Sequence, residues 1–128
     1  MGNIVRAWLP AVAYMTFIWV LSSGTHDISF EQLPFKDKAA HFCEYGVLGL
    51  LTAHAVVRTW TKLPVWRALL LAALMTSAWG FFDELHQAFV PGRDSDVMDL
   101  LADMVGGTVG SIFFHVVQRF AIDSRRRL

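Results

Sequence analysis

Four apolar runs separated by polar segments set the pattern of the chain. The first extends from about Ile4 to Ser22 and contains Pro10, a residue that membrane helices tolerate. The second opens at Lys36 or Asp37 and runs to about Arg58. Pro64 stands where proline suits a helix start, and the third run goes from Val65 through Phe82, with a helical continuation toward Phe89. The fourth runs from Val97 to about Phe120. A helix needs roughly 20 mostly apolar residues to cross a ~30 Å hydrocarbon core, and each run is of that order. The pattern predicts an all-α, multi-pass membrane protein: one domain over residues 1–128 built as a four transmembrane helix bundle.

The joints have their own signals. Gly24 to Asp37 is polar, holds Pro34 and reads as a loop. In Val90-Pro91-Gly92-Arg93, proline presets the second position and glycine permits positive φ at the third, as a type II turn requires. Asp94 or Ser95 then caps the fourth helix. A cleaved signal peptide is the rival reading of the first run, because Ser22, Ser23 and Gly24 are small. The length and aromatic content of the run, and the lack of an A-x-A site, favour a retained span.

Composition agrees with the membrane reading: of 128 residues 55% are hydrophobic, with five Trp and ten Phe and a mean hydropathy of +0.43. A formal net charge of zero hides a strong asymmetry. Arg6, Arg58, Lys62, Arg67, Arg119 and Arg125 to Arg127 provide eight of eleven basic residues, and they fall at the amino end, the second joint and the tail. The positive-inside rule makes those segments cytoplasmic, so both termini are expected inside a bacterial cytoplasmic (inner) membrane, with membrane lipids as the surroundings. The triple Arg is read as an orientation signal or anionic-lipid contact, and no nucleic-acid partner is expected. The lone Cys43 offers neither a disulfide within the chain nor a zinc-type cluster.

Candidate chemistry concentrates between Asp83 and Gly110, where carboxylates, a His and an Arg lie between two apolar runs. An Asp or Glu in hydrocarbon costs roughly 2.5–3.5 kcal/mol on insertion scales, so such acids face a bundle interior or wet cavity. The topology brings three groups to one end: Lys38, His41, Glu44 and Tyr45 from the second helix; Asp83, Glu84, His86 and Gln87 from the third; Asp96, Asp99 and Asp103 from the fourth. Three readings follow. In a structural network, Lys38 and Arg93 neutralise acids and His41 pairs Glu44, its neighbour three residues on. In a binding or catalytic pocket, crowded carboxylates supply an acid and a base, with Glu84, Asp83 and His41 as catalytic candidates. In a divalent-metal site, His41, Glu44, Asp83, Glu84 and Asp99 are ligand candidates, although no H-E-x-x-H spacing is present. No cofactor beyond such a metal is expected. The surplus of acids favours cations or amines over phosphate unless Lys36, Lys38, Arg93 or a metal receives the anion. Gly106 and Gly110 form G-x-x-x-G, extended by Ala102, for close packing within the bundle or in a homo-oligomer. No P-loop, dinucleotide fingerprint or serine-hydrolase elbow is present.

Two blocks of residues carry a resemblance. Asp37-Lys38-x-x-His41-Phe42-x-x-Tyr45-x-x-Leu48-Gly49 is one; Asp83-Glu84-x-x-Gln87-x-Phe89-x-Pro91-Gly92-Arg93, followed by Asp99, Gly106 and Gly110, is the other. Both resemble the VanZ-like membrane proteins, a family named for a protein associated with low-level teicoplanin resistance; residues 36–118 match best. Asp103 departs from the family, which often has Asn there. The resemblance implies a multi-pass protein of the bacterial cytoplasmic membrane with a role in the cell envelope. The combined expectation is a factor that holds a lipid-linked or peptidoglycan-like precursor outside the membrane through Lys38, His41, Glu44, Tyr45, Asp83, Glu84, Gln87, Arg93 and Asp99, with a link to glycopeptide resistance. The alternatives are an enzyme acting on a lipid headgroup and a structural subunit of a membrane complex.

Overall fold

A computed structural model describes residues 2–24, 36–93 and 95–127. Four α-helices account for nearly all of them: α1 Gly2–Ser22, α2 Lys36–Thr59, α3 Val65–Gln87 and α4 Val97–Arg126. Each is long and apolar enough to cross a membrane. The polar stretch with Pro34, and Asp94 as a candidate cap, lie outside the described residues.

The boundaries follow local chemistry. Pro64 precedes α3 in an extended conformation, with φ −62° and ψ 146°. The helix ends at Gln87, short of Phe89, because the backbone turns there. Arg93 N–H donates to the Val90 carbonyl at 3.1 Å and Gly92 has φ 82°, so the expected turn forms. Asp96, rather than Asp94 or Ser95, caps α4: it is extended and its carboxylate accepts the Met98 N–H at 2.9 Å. The helix then runs past Phe120 to Arg126, with Arg125 and Arg126 in its last turn, where positive charge complements the helix dipole.

The chain runs up and down, so α1 and α3 are parallel to each other and antiparallel to α2 and α4. Trp8 Nε1 donates to Thr59 Oγ1 at 2.8 Å at one end of the α1–α2 pair, while Ser22 of α1 meets Asp83 of α3 at the other. Helices α2 and α4 form the most extensive contact; α1 packs on α2 and α3 and lies across the bundle from α4. Glycine makes the α2–α4 contact possible. A Cβ at Gly110 would collide with the Gly46 carbonyl, and one at Gly49 with the Gly107 backbone. A Cβ at Gly106 would likewise collide with the Phe42 carbonyl, so the G-x-x-x-G face is seated against α2 of the same chain. An oligomer through Gly106 and Gly110 would have to open that contact.

Side chains are distributed inside out relative to a water-soluble domain. Thr52, Thr76, Asp83, Asp103 and Ser111 are fully buried, whereas Phe17, Val20, Leu74, Phe81 and Phe113 project outward. Such an apolar exterior suits a lipid environment. Apolar packing fills the rest of the interior. Ala53, Val56, Ala68 and Ala72 form a small-residue core toward the Trp8 end, and Ile18, Tyr45 and Leu48 form a second core beneath the carboxylates.

Candidate functional site

The carboxylates meet at the end of the bundle where α1 and α3 finish and α2 and α4 begin. Asp83 is 1% exposed and both its oxygens are occupied: Ser22 Oγ donates to Oδ1 at 2.6 Å and Gln87 Nε2 to Oδ2 at 3.0 Å. It therefore ties α1 to α3. Glu84 faces the other way, and its Oε2 accepts the backbone N–H of Asp96 at 3.0 Å, which fixes the start of α4 against the end of α3. Lys38 reaches from α2 to α4, donating to Asp96 Oδ2 at 2.6 Å and Asp99 Oδ1 at 2.8 Å. One turn deeper, His41 Nδ1 lies 2.9 Å from Asp103 Oδ1.

Among the described residues, Glu84 Oε1, Asp103 Oδ2 and Tyr45 Oη of this cluster are buried without a hydrogen-bond partner. Gly80 makes room for one of them. A Cβ there would come within 3.0 Å of Asp103 Oδ2 and 3.2 Å of the Tyr45 ring, so Asp103 and Tyr45 occupy space that α3 leaves open. An unpaired buried polar group is costly, by roughly 1–3 kcal/mol for neutral groups and more for charged ones. A donor or cation placed beside these oxygens would remove that cost. One imidazole nitrogen of His41 and one carboxylate oxygen each of Glu84 and Asp103 lie within 4.8 Å of one another, and all three residues are buried. Asp37, His41 and Asp99 make a second such group, with Asp37 exposed at its rim.

Electrostatics outside the spans follow the same pairing. The hydrogen bond from Lys38, reinforced by the Met98 N–H, holds the Asp96 carboxyl below the usual carboxylate range.

Lys38, His41, Tyr45, Asp83, Glu84, Gln87 and Asp99 all reach this end of the bundle, but their contacts differ in part from those expected. His41 pairs with Asp103 and not with Glu44. The three-residue spacing does put His41 and Glu44 on one side of α2, yet the imidazole points across to α4. Glu44 remains half-buried at the edge, outside the cluster's hydrogen bonds among the described residues. Arg93 forms no ion pair with an acid among the described residues; it donates to the carbonyls of Leu21 at 3.3 Å and Gly24 at 3.4 Å. The last carbonyls of a helix lack intrahelical donors, and a guanidinium at the end of α1 supplies them. Among the described residues, Glu44 and Asp83 also fall outside the two groups able to converge on a metal, and Asp103 belongs to one of them.

The sequence pattern puts Asp103 in the polar cluster but not among its ligand or metal candidates, and it gives Ser22 and Gly80 no part in the site. Asp103 had a signal, lying four residues beyond Asp99 on the same helix face. Ser22 and Gly80 had none, because their roles depend on which helix packs opposite.

A family model described as VanZ/LLP1 matches residues 7–118, which takes in all of these side chains. No curated protein and no solved structure matches the chain.

Proposed function

The chain belongs to the VanZ/LLP1 family, and from that premise we propose that it is a bacterial cell-envelope protein that binds an extracytoplasmic, lipid-linked or peptidoglycan-like ligand at its carboxylate cluster. The observation that carries this reading is that Glu84 Oε1 and Asp103 Oδ2 are buried acceptors without a partner among the described residues, as is the Tyr45 hydroxyl. Carboxylate oxygens without donors complement an ammonium or N–H-rich group. Because the cluster lies at the ends of helices that can cross a bilayer, a ligand with an apolar tail can keep that tail in lipid while its polar end reaches the acids. In this reading Glu84, Asp103, Tyr45 and His41 contact the ligand, and Lys38 with Asp99 forms the rim. Asp83, Gln87 and Arg93 brace the helices. The proposed place of action is the inner membrane, with protection against teicoplanin as the cellular consequence.

The test is native mass spectrometry of protein released from mild detergent, wild type against Glu84→Gln. A lipid-linked compound retained by the wild type and lost in the variant supports binding. Equal emptiness of both, with unchanged stability, would reject a retained ligand at this site.

One observation favours a second reading. The His41, Glu84 and Asp103 ligand atoms are close enough to hold one ion, and an imidazole with two carboxylates suits Zn²⁺ or Mn²⁺. A bound ion would supply Lewis acidity to an enzyme acting on a lipid headgroup, with these three residues orienting it. About one equivalent of metal, bound by the wild type and lost in His41→Ala and Asp103→Asn, is the expected stoichiometry of a single three-ligand site. Metal content unchanged in both variants would eliminate it.

A further inference from the structure

At the end of the bundle opposite the carboxylates, α1 and α2 leave a recess of about 390 Å³ lined by Asn3, Arg6, Ala7, His54, Arg58 and Thr61. We propose that this recess binds a phosphate-bearing group. Two arginines from different helices converge on one space, and no carboxylate lines it among the described residues. The ion pairs among the described residues all lie at the other end, so neither Arg6 nor Arg58 has an acidic partner there. The first turn of α1, which includes Asn3, contains no acidic residue to answer its free N–H groups. The lining is thus rich in donors: two guanidinium forks, an amide, a hydroxyl and an imidazole. Phosphate is the complementary partner, since its oxygens accept several hydrogen bonds and match the guanidinium fork in pairs.

The recess also has fixed walls. The hydrogen bond from Trp8 Nε1 to Thr59 Oγ1 joins α1 to α2 beside it, and the Trp8 and Trp60 rings meet edge to face at 6.2 Å. Ala7, 5% exposed, contributes only a methyl group to the lining and so leaves room between the two arginines. His54 is braced from behind by an edge contact with Phe114 of α4. Diffuse attraction of a basic surface for anions would need none of this convergence, and Lys62 and Arg67 provide the comparison, being basic, exposed and near the same end but outside the recess.

The phosphate can come from a phospholipid headgroup or from a free phosphomonoester. Purified full-length protein in neutral detergent is titrated with phosphatidylglycerol, glycerol phosphate and a diacylglycerol lacking phosphate, and read by native mass spectrometry. One phosphatidylglycerol per chain is expected to be retained, with retention falling about tenfold or more in Arg6→Gln/Arg58→Gln and less than about twofold in Lys62→Gln/Arg67→Gln, as paired guanidinium recognition requires. Should the first double variant unfold, Arg6→Lys/Arg58→Lys keeps the charge but loses the fork, and a loss of about threefold is then expected. Displacement of the lipid by glycerol phosphate assigns the site to free phosphates as well; retention of lipid alone assigns it to headgroups. Equal losses in the two glutamine doubles, equal retention of diacylglycerol, or no binding of either phosphate compound would overturn the proposal.

Discussion

Two adjacent acids, Asp83 and Glu84, play opposite parts. Asp83 accepts from Ser22 and Gln87, one donor on each oxygen, while Glu84 Oε1 has no partner among the described residues. Asp83→Ala is therefore expected to lower stability in detergent by about 1–2 kcal/mol, the scale of buried polar contacts between membrane helices, read as a drop in Tm. Glu84→Gln keeps an oxygen for the Asp96 N–H and should leave Tm close to wild type while abolishing ligand retention. Asp96 gives the pH dependence. Its carboxyl is held below the usual range in the folded protein, so its contribution is present at neutral pH and is lost as pH falls through the depressed value. The Tm difference between wild type and Asp96→Asn should narrow below about pH 4, and salt should shrink it, since the pair with Lys38 is partly exposed. Sequence placed most of these residues at one end. It did not assign their partners: His41 and Glu44 are neighbours on a helix, but the acid that His41 touches belongs to another helix.

At the level of elements, the α2–α4 contact is decided by missing side chains. Replacing a helical glycine with alanine ordinarily gains about 1 kcal/mol of helix propensity. Gly110→Ala should reverse that sign, because its methyl group would meet the Gly46 carbonyl; thermal unfolding should show a Tm below wild type. The turn into α4 makes the same kind of demand. Gly92 has positive φ, a conformation that disfavours a non-glycine residue by roughly 1–2 kcal/mol, so Gly92→Ala should destabilise and Ser95→Ala should not. Helix number, hydrophobic length and the Pro-Gly turn were legible because each depends on residues close in sequence. The cap shifted to Asp96, whose carboxylate reaches the Met98 N–H and whose own N–H is claimed by Glu84 from the preceding helix.

Across the described residues, polar chemistry is sorted to the two ends: carboxylates with Lys38 and His41 at one, two arginines around a recess at the other. If the basic end faces the cytoplasm, alkaline phosphatase fused to the carboxyl terminus should be inactive, and the same enzyme inserted in the segment between α1 and α2 should be active; the reverse pattern would invert the orientation. Sequence alone determined four apolar helices, the turn before α4, the charge asymmetry and the family resemblance, all of which follow from local periodicity, turn stereochemistry or short motifs. Tertiary structure alone decided that Asp103 answers His41, that Ser22 holds Asp83, that Arg93 closes α1, and that Arg6 and Arg58 share a recess. These are meetings between helices. They depend on the rotation and depth of each helix against its neighbours, which side-chain volume and backbone approach set jointly over the bundle and which no single stretch of sequence encodes.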